Sequence, residues 1–139
     1  MITIEKLCKS FEGVDVLADI STQFDQGKTN LIIGQSGSGK TVLLKCILGL
    51  FEKDSGKIYF GDQSLQNMDE KERSILRQEM GMVFQGSALF DSMTVEENIM
   101  FPMRMLTQKS FEEMRSRANE VIQRVNLINA NKKLPSEIS

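Results

Sequence analysis

The chain has 139 residues, of which 40% are hydrophobic and 26% charged, an ordinary composition for one domain with a modest core. Its 17 basic and 19 acidic residues give a net charge of −2, so we expect no nucleic-acid partner. No apolar run reaches the length of a membrane span. The chain contains no histidine, which excludes histidine-based catalysis and histidine metal sites within it.

The first part of the chain mixes strand and helix signals. Apolar residues alternate with polar ones in several short runs, and turn signals that contain glycine separate these runs. One continuous apolar run precedes a glycine-rich stretch and predicts a buried strand, while the apolar run after it predicts a buried helix. Strands are predicted over residues 2–11, 14–24, 29–33, 57–60 and 80–84, and helices over 42–50 and 68–79.

The part after residue 85 has helical periodicity. Capping boxes at Thr94–Glu97 and Ser110–Glu113 mark the starts of two helices. The first helix is predicted to end at about Phe101, because Pro102 follows. The apolar spacing behind the second box predicts an amphipathic helix over residues 111–126.

Seven of the nine methionines lie between Met80 and Met114. Methionine adapts its shape to its surroundings, so this cluster is either the core of a small helical layer or a partly exposed docking surface. The sequence leaves both interpretations open.

The strongest motif is Gly34-Gln35-Ser36-Gly37-Ser38-Gly39-Lys40-Thr41, which fits the phosphate-binding pattern G-x-x-x-x-G-K-[ST] without a mismatch. Its glycines allow backbone N–H groups to turn toward an anion, and a helix start adds unpaired N–H groups and the positive end of a dipole. Lys40 supplies a charge for the β- and γ-phosphates, and the Thr41 hydroxyl can bind Mg²⁺. The bland alternative is a glycine-rich turn with an exposed lysine. The expected phosphate-site residues are Gly34, Ser36, Gly37, Ser38, Gly39, Lys40 and Thr41.

The order of features around this motif resembles the ATP-binding subunits of ABC transporters. Phe11 lies upstream of Lys40 where that family places an aromatic residue that stacks on adenine, and phenylalanine replaces the commoner tyrosine there. Val16 matches the small apolar residue that lines the base and ribose. Met82-Val83-Phe84-Gln85 resembles the family's Q-loop, which implies that Gln85 reaches Mg²⁺ and the attacking water.

The resemblance implies an α/β fold of the P-loop NTPase class, with a RecA-like core and an antiparallel β subdomain in residues 1–85. Residues 86–139 would begin a helical subdomain that docks on membrane subunits. The implied ligands are ATP and Mg²⁺, and the implied activity is ATP hydrolysis coupled to transport, with Lys40 and Gln85 as catalytic residues. The implied partners are transmembrane permease subunits and a second ATP-binding subunit in a homodimer. The implied location is cytoplasmic, peripheral on the inner face of a bacterial inner membrane.

One stretch points to a subgroup of the family. Ala88-Leu89-Phe90, together with Phe101-Pro102, is most similar to the transporters that move phospholipids to maintain outer-membrane lipid asymmetry. Amino-acid importers share much of the same stretch, so an importer ATPase is the alternative.

The last residues, 134–139, resemble the run-up to the family signature Leu-Ser-Gly-Gly-Gln, with Ser139 as its serine and Ile138 in place of the leucine. In family members the rest of the signature and the Walker B strand with its carboxylates lie downstream. Hydrolysis needs a carboxylate that orients water beside the γ-phosphate. We therefore expect this chain to be the N-terminal portion of such a subunit, which by itself binds nucleotide weakly at most and does not turn it over.

Two other classes compete with this interpretation. The first is a different phosphate-loop enzyme, either a GTPase or a small-molecule kinase. A GTPase would need an Asn-Lys-x-Asp base reader, and the nearest stretch, Asn131-Lys132-Lys133-Leu134, lacks the aspartate. A nucleotide-binding module without catalysis is the other alternative for the chain as given. A preference for adenine or guanine separates the first class from the main interpretation, and a turnover assay separates the second.

Overall fold

The structure is a computed structural model, and it describes residues 1–84, 86 and 88–138. The chain divides into two compact units, Met1–Met82 and Val83–Ser139, and each is described by itself. The assignment of residues 1–85 and 86–139 to two family subdomains stays a prediction. No helix in the described part of the chain is long and apolar enough to cross a membrane.

The first unit is built on a four-stranded antiparallel sheet with the strand order β2-β1-β3-β4. The predicted strands at residues 2–11, 14–24 and 57–60 are confirmed, although the last begins two residues earlier. The strands are β1 (Ile2–Phe11), β2 (Val14–Phe24), β3 (Ser55–Phe60) and β4 (Gln63–Ser64).

An irregularity in β1 explains why its apolar residues do not alternate strictly. Ile4 and Leu7 are both buried although they are three positions apart. The pairing register with β2 shifts between them, and Lys6 lies there with a φ of 48°. Such a bulge turns the strand so that both apolar side chains face the same core.

Helix α1 (Lys40–Ile47) covers one face of this sheet and completes the core. Its buried side chains, Leu43, Cys46 and Ile47, recur at the spacing of one helix face. They pack with strand residues, and burying each large apolar side chain contributes about 1.5–3 kcal/mol to the free energy of unfolding. The buried cluster consists of Ile4, Leu7, Leu17, Leu43, Cys46, Ile47, Ile58 and Leu65.

The predicted surface helix at residues 68–79 is present with a later start. A 3-10 turn at Leu65–Asn67 precedes helix α2 (Glu70–Glu79). Asp69 caps this helix by accepting a hydrogen bond from the Glu72 N–H, and the Glu72 carboxylate accepts one from the Asp69 N–H. This reciprocal pair is a capping box that the sequence analysis missed.

Two predicted strands are absent, and both predictions are wrong for the same reason. Residues 29–33 and 80–84 form no strand in the structure. Leu31 and Ile33 are each 82% exposed, and Val83 is 97% exposed. A strand requires a neighbour for its N–H and C=O groups, and none of the four strands in the described part of the chain pairs with either segment.

The second unit is helical, as predicted. Helices α3 (Val95–Leu106) and α4 (Phe111–Arg124) begin at the two predicted capping boxes, whose reciprocal hydrogen bonds are both formed. Met100 and Met114 are buried beside Ala118. Met105, by contrast, is 67% exposed, so the methionine cluster contributes to the core and also to the surface.

Helix α3 does not end before Pro102, so that boundary prediction is wrong. It runs on to Leu106 with Pro102 inside it. The proline removes one intrahelical N–H donor, but other contacts hold the first part of the helix. The Asn98 side chain donates to the carbonyl oxygens of Phe90, Met93 and Thr94 at 3.0–3.1 Å, and the Phe90 and Phe101 ring centroids lie 4.7 Å apart.

Replacing Pro102 by alanine tests this account of α3. We expect Pro102→Ala to raise the free energy of unfolding by about 1–2 kcal/mol, because it restores a helical donor at some cost in unfolded-state entropy. Urea unfolding followed by the helical circular dichroism signal measures this change. The control is Pro135→Ala, since Pro135 begins a 3-10 turn where proline is tolerated. A Pro102→Ala variant no more stable than the parent would contradict the account.

Candidate nucleotide-binding site

The glycine-rich loop lies directly against strand β2. Gly39 is buried and immediately precedes α1, with a φ of 88° and a ψ of 1°. A Cβ atom at this position would lie 2.9 Å from the Val16 carbonyl oxygen and 3.1 Å from the Leu17 side chain. Both the backbone conformation and the close approach therefore require glycine.

Helix α1 begins without a side-chain cap, unlike α2, α3 and α4, which each begin with a capping box. Its first intrahelical hydrogen bond joins the Leu43 N–H to the Gly39 carbonyl oxygen at 2.8 Å. The N–H groups of residues 40–42 have no acceptor within the helix. These groups and the positive end of the helix dipole are suited to an anion.

Lys40 closes the loop on itself. Its Nζ donates to the carbonyl oxygens of Gly34 at 2.8 Å and Gln35 at 2.6 Å. The Ser38 N–H donates to the same Gln35 oxygen at 3.2 Å, so the loop winds around the ammonium group. Gly34 lies close to Ser38, since a Cβ atom added at Gly34 would lie 2.7 Å from the Ser38 Oγ.

This arrangement fits a phosphate group. Eight residues bring together an ammonium group, the uncapped N–H groups of a helix and the glycines of a tight loop. Residues 34–38 are exposed to solvent. Thr41 is exposed in the first turn of α1, where its hydroxyl is an oxygen ligand of the kind that Mg²⁺ prefers. Gln85 and Ser139, the other two predicted site residues, lie outside the described residues.

The two residues predicted to line the base are both in the first unit, and Val16 is next to the loop. Val16 is half-buried and touches the position of Gly39, as described above. Phe11 ends β1, pairs with Val14 and is 40% exposed. Its ring centroid lies 5.5 Å from that of Phe51 in an edge-to-face arrangement.

A family model described as ABC transporter matches residues 17–139. The chain belongs to this family. The sulfate/thiosulfate import ATP-binding protein of Mesorhizobium japonicum is 37% identical over 141 residues, which cover 99% of this chain and 39% of that protein. The methionine import ATP-binding protein of Clostridioides difficile is 33% identical over 139 residues, which cover 100% of this chain and 43% of that protein.

Solved structures show the same fold. A bacterial ABC transporter cassette determined as a dimer superposes with a TM-score of 0.87 at 27% identity, covering 100% of this chain and 63% of that one. A post-hydrolysis state of that cassette, bound to ADP and Pi, gives a TM-score of 0.84 at 26% identity. The chain therefore has the ABC ATPase cassette fold, and it spans about two fifths of the length of the curated relatives it matches.

In this member of the ABC transporter family, sequence reasoning missed two residues beside the Phe11 ring and a third that binds one of them. They are Phe51, Lys9, whose Nζ lies 5.1 Å from the Phe11 ring centroid, and Asp54, which accepts from Lys9 at 2.8 Å. Only Lys9 carried a local signal, since it lies two positions before Phe11 and therefore on the same face of β1. Phe51 and Asp54 are more than 35 residues away from Phe11 along the chain, and sequence patterns do not indicate contacts over that separation.

Hydrogen bonds keep Asp54 ionised. Its carboxylate accepts from the Lys9 ammonium and from the Ser10 hydroxyl and N–H, both at 2.6 Å. These bonds, that of Lys9 above all, lower its pKa from 3.8 to about 2. A carboxyl group with a lowered pKa in the folded state stabilises the fold above pH 3.8, and this contribution is lost as the pH falls through 2.

Asp54→Asn is therefore expected to change how stability depends on pH. The parent should be more stable than the variant at pH 5, and this difference should shrink as the pH falls from about 4 to 2, because the carboxylate becomes protonated. Urea midpoints across this range measure the difference. Asp62→Asn, in an exposed turn, controls for the loss of one carboxylate. A constant difference between the parent and Asp54→Asn across the whole range would contradict the assignment.

Proposed function

We propose that this chain forms the ATP-binding part of an ABC transporter and couples ATP to transport. The observation that carries the proposal is the Lys40 ammonium enclosed by its loop beside an uncapped helix start. A triphosphate arriving at the loop would offer oxygens to Lys40 in place of the Gly34 and Gln35 carbonyl groups. The backbone N–H groups of the loop and of the first turn of α1 would donate to the same oxygens.

The other roles in this proposal rest on the phosphate-loop motif and on the resemblance to the family. Gly34, Ser36, Gly37, Ser38 and Gly39 form the phosphate cradle in this proposal. Thr41 and Gln85 would hold Mg²⁺, which neutralises charge on the phosphates when it is bound. Phe11 would stack on the adenine, and Val16 would line the base and ribose. Ser139 would begin the signature segment.

The partners and location belong to the same proposal. A second ATP-binding subunit would complete the nucleotide site in a homodimer. The permease subunits would respond to conformational changes of this dimer. The dimeric form of the similar cassette structure supports the first of these. The subunit would then lie on the cytoplasmic, inner face of a bacterial inner membrane. Hydrolysis would be a property of the assembled transporter.

Lys40→Ala tests nucleotide binding directly. Charge-assisted hydrogen bonds are worth about 1.5–3 kcal/mol, so we expect the Kd for ATP to rise by about 10- to 100-fold. Isothermal titration calorimetry with Mg-ATP measures it. Lys57→Ala is the matched control, because Lys57 is an exposed lysine on β3. Equal affinities for the parent and Lys40→Ala, or equal losses in both variants, would count against the loop as the phosphate site.

For the cargo we propose phospholipid, on the resemblance of Ala88-Leu89-Phe90 and Phe101-Pro102 to the lipid-asymmetry subgroup. In the structure Phe90 and Phe101 pack against each other, so these two parts of the motif form one feature. Import of an amino acid is the second candidate, and the similarity to a methionine import protein supports it. The chain is also similar to a sulfate/thiosulfate import protein and to a spermidine/putrescine import protein, and these similarities favour neither lipid nor amino acid.

A strain that carries Lys40→Ala in the chromosomal gene separates these cargoes. If the cargo is lipid, surface-exposed phospholipid is expected to increase while uptake of labelled methionine stays at the level of the parent. A strain with Lys57→Ala should resemble the parent in both assays. Loss of methionine uptake with unchanged surface lipid would contradict the lipid proposal and favour the importer.

A further inference from the structure

Beyond the end of the β1–β3 pairing, the carboxylate of Asp54 makes the hydrogen bonds to β1 that a paired strand would otherwise make. The pairing between these strands ends at Cys8 and Ser55. One residue before Ser55, Asp54 donates its N–H to the Cys8 carbonyl oxygen at 3.0 Å, and its carboxylate accepts from the N–H and hydroxyl of Ser10. The last residues of β1 before Phe11 are therefore fixed by Asp54.

The same carboxylate also fixes the side chain of Lys9. The ion pair is 2.8 Å long, and the Lys9 side chain is only 16% exposed. Its ammonium group is held 5.1 Å from the centre of the Phe11 ring, which is within the range of a cation–π interaction. Lys9 thus contacts both the carboxylate and the aromatic ring.

Phe51 supports the Phe11 ring with its edge-to-face contact, and it is itself held in place. Its N–H donates to the Lys45 carbonyl oxygen at 3.2 Å, and the Lys45 Nζ lies 4.9 Å from its ring centroid. Phe51 therefore ties the Phe11 ring to the end of α1, the helix that begins at the phosphate loop. Despite these neighbours Phe11 remains 40% exposed, so part of its ring is open to a ligand.

We propose that Asp54 is a positioning residue for the nucleobase, acting through Lys9 to hold the Phe11 ring in the orientation that stacks on adenine. This inference rests on the proposed function. It predicts that loss of the Asp54 charge weakens the contact with the base and leaves the contact with the phosphates intact. A cation on the ring also makes it electron-poor, which favours stacking on an electron-rich purine.

The absence of tryptophan from the chain permits a direct readout. Phe11→Trp places a single tryptophan at the proposed stacking position, and its fluorescence should be quenched by ATP but not by inorganic tripolyphosphate. Calorimetry measures the affinity for both ligands in the same protein. This background protein is then combined with Asp54→Asn, with Lys9→Met, and with Asp62→Asn as the control.

In Asp54→Asn and Lys9→Met we expect weaker quenching and a Kd for ATP raised by roughly 3- to 10-fold, which corresponds to part of the binding free energy of one stacked base. The Kd for tripolyphosphate should be unchanged. Lys9→Met keeps the Ser10 hydrogen bonds of Asp54, so it remains informative if Asp54→Asn folds poorly. Quenching and ATP affinity equal to those of Asp62→Asn in both variants would overturn the positioning role. Failure of the background protein to bind either ligand would instead overturn the proposed function, and this inference with it.

Discussion

The close approach of Gly39 to the backbone of Val16 is the contact on which the first unit depends. It fixes the start of α1 on β2, and the direction of the helix then brings Leu43, Cys46 and Ile47 into the core. The same contact leaves no room for a capping side chain. One packing requirement therefore both stabilises the fold and leaves the helix N–H groups free for a ligand.

Single polar side chains continue the hydrogen bonding where regular structure stops. The Asp54 carboxylate accepts a hydrogen bond from the Ser10 N–H beyond the last pair of the β1–β3 ladder. In the second unit Asn98 does the same for the segment that leads into α3, since its side chain bonds to both the N–H and the carbonyl oxygen of Phe90. Each makes several hydrogen bonds to an irregular segment, Asp54 across 44 positions of the chain and Asn98 across eight or fewer. Such bonds order irregular segments without a larger core.

The features that the sequence predicted well are those with local causes. The phosphate-loop motif, the turn between β1 and β2 and the capping boxes at Thr94 and Ser110 depend on residues a few positions apart, and the structure contains each of them. The two strands predicted at 29–33 and 80–84 fail because a strand depends on a partner elsewhere, which periodicity does not reveal.

The candidate site divides in the same way. Its phosphate end was predictable from eight consecutive residues, and the resemblance to a family indicated Phe11 and Val16. The support around Phe11 was not predictable, because Asp54 bonds to Ser10 across 44 positions of the chain. Such contacts arise from the sheet register, and the register itself depends on the bulge near Lys6.

The most direct test of this account is a crystal structure of the protein with a non-hydrolysable ATP analogue and Mg²⁺. The account predicts that the Lys40 ammonium group leaves the Gly34 and Gln35 carbonyl oxygens and contacts the phosphates. It also predicts that the N–H groups at the start of α1 donate to the phosphates and that the base lies against Phe11. A structure in which Lys40 keeps its two carbonyl partners while the nucleotide binds elsewhere would contradict it.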